Sequence, residues 1–446
     1  MKKYLLLELI VVLSIFSCAA SPYTKNSAHA VPPDFFGITP YDGHKLIEKD
    51  YEVINDLGVV WMRRTFNWSR VERNQGEWDF SAFDDYVDDA KKQGKKLIAI
   101  LAYDPSWKLN ENGKEFYVSS KTLPLYIAYV EKIVERYKGK VDAWEIWNEP
   151  NNFFMGFWKG NVKEFSNLTK AAALKVKEVD PAAKIVAGSF FRSPSGFVKK
   201  MFKAGAFENV DAISFHPYSV SPAYTVKVFD KFEALLKKHK WEKEIFVSEV
   251  GFPTSGWYPS AININKYPSY IVKTLCGLSL RNTPFIIWYE LFDEYNQGEE
   301  KSKSNSEDYF GIIYPDFSYK KGAAAYKLCS TLLAGSKYVP LNFDKQFPHS
   351  VTALFFTNEK DKSSSVFLWD EKAKRHITIK LPVRSGQTSS SEKIIAENYR
   401  VYNIETGTFE EKQIIDGIIK IDIGATPTVL QFHGTTEDIL LSVTRQ

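Results

Sequence analysis

The fold turns on one stretch, Lys96-Leu97-Ile98-Ala99-Ile100-Leu101-Ala102-Tyr103-Asp104-Pro105-Ser106-Trp107. From Leu97 to Leu101 every position is apolar. An extended chain with both faces apolar needs cover on both sides, which a parallel sheet clothed by helices supplies; a half-exposed strand would alternate instead. The run then breaks into aromatic and polar residues. The same cadence recurs along the chain and predicts strands near 35–38, 59–65, 96–102, 143–147, 184–188, 212–216, 245–249 and 285–290.

Amphipathic segments lie between these runs. Ser81 reads as an N-cap, after which Phe83, Tyr86, Val87 and Ala90 share one stripe. Leu125, Tyr129, Ile133 and Tyr137 repeat at a spacing of four. Eight strand–helix units predict an α/β fold, a (β/α)8 TIM barrel. A doubly wound open sheet is the alternative, but no glycine-rich phosphate loop follows the first strand. Past Gly335 the rhythm changes to short alternating runs at 351–357, 365–369, 376–381, 399–404, 418–423 and 428–432, with polar or glycine-containing links such as the serine-rich 385–391. These predict a small C-terminal antiparallel β-sandwich-like domain, expected to pack against the barrel. The expected divisions are 1–30 as leader and linker, 31–335 as barrel and 336–446 as the β domain.

Composition narrows the class. Of the 446 residues 44% are hydrophobic and 25% charged, the make-up of a globular chain with ample core. Lys and Arg number 58 against 54 Asp and Glu, a net charge of +4 without a long basic block, so nucleic acid is not the expected partner. Aromatic residues reach 15%; such rings suit the stacking of sugars as well as a core. Lys2 and Lys3 precede an apolar run from Tyr4 to Phe16, the length of a signal-peptide core and too short to span a bilayer. Ile15-Phe16-Ser17-Cys18 resembles the lipobox of bacterial lipoproteins, which implies lipidation of Cys18 and a membrane anchor; cleavage after Ala28-His29-Ala30 and an uncleaved anchor are the alternatives. All three place the chain outside the cytoplasm. Cys276 and Cys329 either pair or stay as two separate buried thiols. No His or Cys cluster has metal-ligand spacing, so neither metal nor cofactor is expected.

In a (β/α)8 barrel reactive side chains stand at the carboxyl ends of the strands. Those ends carry Arg63 with Phe66-Asn67-Trp68, then Tyr103 to Trp107, Trp147-Asn148-Glu149-Pro150-Asn151, His216-Pro217-Tyr218, Ser248-Glu249-Val250-Gly251 and Trp288-Tyr289-Glu290. Glu149 and Glu249 end the fourth and seventh strands and would face each other across the pocket. Cleaving a glycosidic bond needs one carboxylic acid to protonate the leaving oxygen and a second carboxylate to attack the anomeric carbon or activate water. Around that pair Asn148 would bind the sugar 2-hydroxyl, Trp288 would floor the ring, Arg63 would keep the nucleophile ionised, and Trp107 would add an aromatic contact.

Trp147-Asn148-Glu149-Pro150 resembles the acid/base motif of the clan A glycoside hydrolases, and Ser248-Glu249-Val250-Gly251 their nucleophile motif. The Arg63–Trp68, Tyr103–Trp107 and His216–Tyr218 segments are similar to that clan too, to its family 39-like enzymes such as β-xylosidases, iduronidases and exopolysaccharide hydrolases. The resemblance spans about Val31 to Leu333. It implies retention of configuration, Glu149 as acid/base, Glu249 as nucleophile, contact of Tyr218 or His216 with the nucleophile, and an oligosaccharide or polysaccharide substrate. Glu290 is a third acid near the mouth that the resemblance does not assign. Structural readings stand beside these: an ion pair for Arg63, a satisfied core histidine for His216, core aromatics for Trp107 and Trp288, a surface loop at Glu299-Glu300-Lys301. Two other functions stay open, a carbohydrate-binding surface lipoprotein without catalysis and a transglycosylase using the same two glutamates.

Overall fold

Strand and helix alternate around a closed ring in a computed structural model that describes residues 21–41, 45–105, 107, 118–295, 305–343, 348–381, 397–435 and 439–444. After a two-residue strand, β1 (His29–Ala30), come β2 (Phe36–Ile38), β3 (Trp61–Thr65), β4 (Lys96–Leu101), β5 (Ala143–Ile146), β6 (Lys184–Phe191), β7 (Ala212–His216), β8 (Glu244–Val250) and β9 (Ile286–Trp288). Strands β2 to β9 form a closed parallel barrel, sealed where Phe36 pairs with Ile286 and Ile38 with Trp288. The helices are α1 (Glu48–Asp56), α2 (Trp68–Val71), α3 (Ser81–Lys92), α4 (Leu123–Tyr137), α5 (Val162–Val179), α6 (Ser195–Lys203), α7 (Pro222–Lys238), α8 (Tyr267–Ser279) and α9 (Lys321–Leu333). In α3 the stripe Phe83, Tyr86, Val87 and Ala90 is buried as the spacing predicts. Its cap differs from expectation: Ser81 is already helical, and Asp79 Oδ1 accepts from the Ser81 amide instead.

Side chains alternate in and out along each barrel strand. Trp61, Ile98, Ala143, Val186, Ala212, Phe246, Phe285 and Ile287 form an apolar plug near the amino ends of the strands. Arg63 lies two residues past Trp61 on β3 and Glu145 two past Ala143 on β5, so both polar chains stand on the inward face above that plug. Arg64, one residue on, faces outward over the ring of Tyr86 at 4.8 Å.

The remaining strands are β10 (Lys337–Val339), β11 (Asn342–Phe343), β12 (Val351–Asn358), β13 (Ser363–Asp370), β14 (Arg375–Lys380), β15 (Asn398–Tyr402), β16 (Phe409–Gln413), β17 (Ile418–Ile423), β18 (Thr428–His433) and β19 (Leu440–Thr444). A seven-stranded sheet, β1-β10-β12-β13-β18-β15-β16, packs on a four-stranded one, β11-β19-β14-β17, in which only β11 and β19 run parallel. Between the sheets lie Phe355, Leu368, Ile377, Ile379, Ile419 and Leu430. The outer face of the large sheet offers Tyr338, Leu354, Phe356, Phe367, Trp369 and Val429, which join the core of the barrel. Strands β12 and β13 are therefore buried at every position, as a sheet between two layers must be.

The expected leader-and-linker segment 1–30 is corrected for its described part. Residues 21–30 are built into the fold: β1 pairs with β10, Tyr23 packs edge-on against Trp369 at 5.0 Å, and Arg281 donates to the carbonyls of Pro22 and Tyr23. Cys18, the rest of the leader and Glu299-Glu300-Lys301 lie outside the described residues. Cys276 and Cys329 are free buried thiols on α8 and α9; burial and a hydrogen bond with Cys329 push the Cys276 thiol up.

Candidate active site

Three local irregularities aim the polar side chains at the barrel mouth. Where β5 ends, Trp147 and Glu149 take left-handed backbone with φ of 68° and 43°. Non-glycine residues rarely adopt it, and a neighbourhood that fixes it is characteristic of functional sites. Here the Glu149 amide donates to Ser189 O at 3.0 Å, and the Trp147 indole is buried among Tyr103, Tyr126 and Trp158. In β6 one extra residue bulges between Ala187 and Phe190 relative to β7. Gly188 permits it with φ of 116°; a Cβ there would lie 2.8 Å from Ser214 O. The bulge turns Ser189 inward. In β8 the register slips likewise between Val247 and Val250, the stretch that holds Glu249. Bulges of this kind re-aim side chains at barrel rims.

Arg63 sits at the centre, almost wholly buried. Its Nε donates to Glu145 Oε2 at 2.6 Å, Nη1 to Glu249 Oε1 at 2.7 Å, and Nη2 to Asn148 Oδ1 at 3.0 Å and Ser189 Oγ at 3.1 Å. A guanidinium matches this set because its donors are fixed in one plane. His216 Nδ1 lies 2.6 Å from Glu149 Oε1 and 3.0 Å from Glu249 Oε2, while Nε2 faces Ser189 Oγ at 3.0 Å. Tyr218 OH donates to Glu249 Oε2 at 3.2 Å. Asn152 Nδ2 donates to Glu149 Oε2 at 2.7 Å, and Asn148 Nδ2 to Tyr103 OH at 2.9 Å.

The electrostatics follow. Burial would raise the Glu249 carboxyl, but His216 and Arg63 outweigh it and hold it at about 2. Burial opposes a charged His216, yet Glu249 and Glu149 prevail and lift it to about 9. Glu149, His216 and Glu249 each bring one potential ligand atom within 4.8 Å of the others. Nδ1 stands at hydrogen-bonding distance from both carboxylates, and a metal would need that nitrogen bare; a shared proton fits the spacing.

A cavity of about 510 Å³ opens above this network, lined by Arg63, Asn148, Glu149, Tyr218 and Glu249 together with Tyr103, Asn152, Tyr289 and Glu307. His216 supports the two carboxylates from behind and is fully buried. Three expected contacts do not reach the cavity wall. Trp288 points outward, among Tyr267, Tyr326 and Phe252, because β9 turns Ile287 inward and alternation then presents Tyr289 to the cavity. Glu290 is buried, its carboxyl pushed well up by burial and by Glu294 and Glu307. Trp107 packs edge-on to Trp68 at the rim of the core.

The sequence assigns no role to Glu145, Ser189, Asn152, Tyr289, Tyr258 or Glu307. Two of these left a trace: Glu145 is a charge inside an apolar strand, and Gly188 beside Ser189 interrupts another, which is a bulge signal. Asn152 and Tyr258 come from loops and Glu307 from a single 3-10 turn (Ser306–Tyr309), segments in which no periodicity marks a side chain.

Comparison with known proteins agrees with this architecture. Residues 107–247 match the model of Glycosyl hydrolases family 39, a segment that contains Glu149 and stops short of Glu249; residues 42–111 match a Beta-galactosidase family. Endo-1,4-beta-xylanase 3 of Hypocrea jecorina is 29% identical over 163 residues, 34% of this chain and 44% of that protein. Aryl-phospho-beta-D-glucosidase BglA of Bacillus subtilis is 22% identical over 241 residues, 49% of this chain and 46% of that one. The matches thus span less than half of these curated relatives. A family 39 glycoside hydrolase from Bacteroides cellulosilyticus superposes with a TM-score of 0.71 at 20% identity, over 90% of this chain and 81% of that one. A family 39 β-xylosidase from Caulobacter crescentus gives 0.66 at 16% identity, over 92% and 98%. Over residues 107–247 the chain is thus similar in sequence to family 39 glycoside hydrolases, and it shares the barrel fold of solved members of that family.

Proposed function

We propose that the protein hydrolyses β-linked oligosaccharide or polysaccharide with retention of configuration, by double displacement between Glu149 and Glu249. The observation that carries this is the approach of one oxygen of each glutamate to within 4.8 Å of the other. Retaining pairs stand about 5 Å apart, whereas inverting pairs leave room for a water at roughly 6.5–9.5 Å.

Glu249, held ionised by Arg63 and His216, attacks the anomeric carbon as Glu149 delivers its proton to the leaving oxygen. Arg63 and the His216 imidazolium offset Glu145 and Glu249, so a proton on Glu149 leaves the buried group neutral. Once Glu249 carries the sugar its charge is gone, and Glu149 is free to take a proton from the incoming water. Asn148 has its amide oxygen fixed by Arg63 and Ser189 and one Nδ2 hydrogen by Tyr103, which leaves the second hydrogen for a sugar hydroxyl. Tyr289 takes the ring-facing place expected of Trp288.

The test is a panel of aryl β-glycosides and β-linked polysaccharides, β-1,4-xylan among them, with the first-formed anomer read by proton NMR. The β anomer is expected; an initial α anomer would refute double displacement. We also propose export and anchoring through a lipid on Cys18. Cleavage after Ala30 would remove β1 and Tyr23, both built into the fold, which favours processing upstream of Ser21. Cys18→Ser should move the protein out of the membrane fraction; unchanged membrane association would refute the anchor.

A further inference from the structure

One wall of the cavity has no part in the bond-breaking pair. Phe154 and Trp257 line it from different loops, their rings 5.9 Å apart, and both are exposed, at 79% and 54%. Adjacent exposed rings that line a cavity, with polar groups at their rim, are characteristic of ligand-binding grooves. Trp257 stands edge-on to Tyr258 at 4.4 Å, and Tyr258 OH lies 3.9 Å from Met155 Sδ. The same hydroxyl donates to Glu307 Oε1 at 2.5 Å. Among the described residues nothing donates to the second oxygen of Glu307, which lines the cavity. An apolar platform thus stands beside an acceptor with spare capacity.

The position of this wall fixes its role. Phe154 and Met155 follow Glu149 closely in the chain, and Asn152 between them bonds the Glu149 carboxyl. A proton leaving Glu149 goes to the leaving group, so the leaving group rests against this side. Resting on the assignment of Glu149 as the acid, we propose that Phe154, Trp257 and Glu307 form a leaving-group subsite for a neutral sugar unit. A pyranose offers a C–H face to the rings and hydroxyls to the carboxylate. A wholly apolar leaving group would strand Glu307. An anionic sugar would add to the repulsion between Glu249 and Glu307, whose carboxyl is pushed up by burial and then by Glu249. The substrate is therefore a glycan that continues past the cleaved bond.

The test compares three substrates that share one glycone: the β-linked trisaccharide, the aryl glycoside and the glycosyl fluoride, with xylose first and glucose second. Trp257→Ala and Phe154→Ala should lower kcat/KM on the trisaccharide about tenfold more than on the fluoride, which has no leaving ring. Glu307→Gln should do so on the trisaccharide alone, again about tenfold beyond its effect on the aryl glycoside. Equal losses on all three substrates, no loss on the trisaccharide, or faster turnover of a trisaccharide bearing a uronic acid at the leaving position would each overturn the subsite. If the unaltered protein turns over no member of the panel, the hydrolase reading fails by itself. The subsite is then judged by calorimetry with xylotriose and xylose: tenfold weaker xylotriose binding in Trp257→Ala upholds it, and unchanged binding refutes it.

Discussion

The barrel mouth and the seam between barrel and large sheet are buried to a similar degree and are built oppositely. At the mouth, Arg63, Glu145, Glu149, His216 and Glu249 are ionisable groups taken out of water, held by a connected set of hydrogen bonds. At the seam, Tyr23, Leu354, Phe356, Phe367, Trp369 and Val429 join one apolar core, with the Lys273 ammonium over the Trp369 ring at its edge. Buried ion pairs rarely repay their desolvation relative to apolar packing, whereas a buried aromatic ring stabilises outright. The mouth therefore spends stability on a preorganised arrangement of charge, and the seam supplies stability.

The sharpest break of this contrast is Glu249→Gln. It should lower kcat by roughly 10^4-fold or more, and because it takes the shared anion from Arg63 and His216 the melting temperature should fall as well. A variant retaining full activity would end the division. Arg63→Leu comes next. It leaves Glu145 and Glu249 buried without their shared cation, at a cost of about 3–5 kcal/mol measured by urea denaturation, and turnover should fall as well. If Arg63→Leu proved as stable as the parent, the mouth would not be the strained region described. Trp369→Ala should also cost about 3–5 kcal/mol, yet leave kcat/KM within about twofold below the melting point. A selective loss of activity there would tie the seam to the chemistry.

The smallest effect is the share of the pH dependence that the mouth contributes. Glu249 is held at about 2, below its ordinary 4.5, so its contribution is present above about 4.5 and is lost as pH falls toward 2. His216 is lifted from 6.5 to about 9, so its contribution is complete below 6.5 and is lost as pH rises through 9. Both act fully between pH 4.5 and 6.5. Melting temperature should decline between pH 6.5 and 9 in the parent and less steeply in His216→Asn. Parallel slopes would show that the histidine is not charged in the folded protein.

Much of this was legible in the residues. Continuous apolar strands separated by amphipathic segments imply a parallel sheet covered on both faces, and eight such units without a phosphate loop after the first strand point to a barrel over an open sheet. Asn148-Glu149 and Ser248-Glu249 stood out because strand ends in a barrel point at one mouth. Strand β16, Phe409-Glu410-Glu411-Lys412-Gln413, left no signal: it is an exposed edge, and an edge needs no apolar face. The full burial of β12 was not read either, since an apolar run does not say which layer covers each side.

The sequence by itself determined the order of strands and helices in the barrel and the change to β structure near residue 335, and it singled out the two glutamates as candidates, all from local periodicity and residue type. Tertiary structure alone decided which side chains meet. One-residue bulges in β6 and β8 bring in Ser189 and Glu249, the register of β9 presents Tyr289 in place of Trp288, and a 3-10 turn and a loop deliver Glu307 and Trp257 to the cavity. Strand direction is set by neighbours in the chain, but register and loop path are set by contacts between residues far apart, which no local pattern encodes.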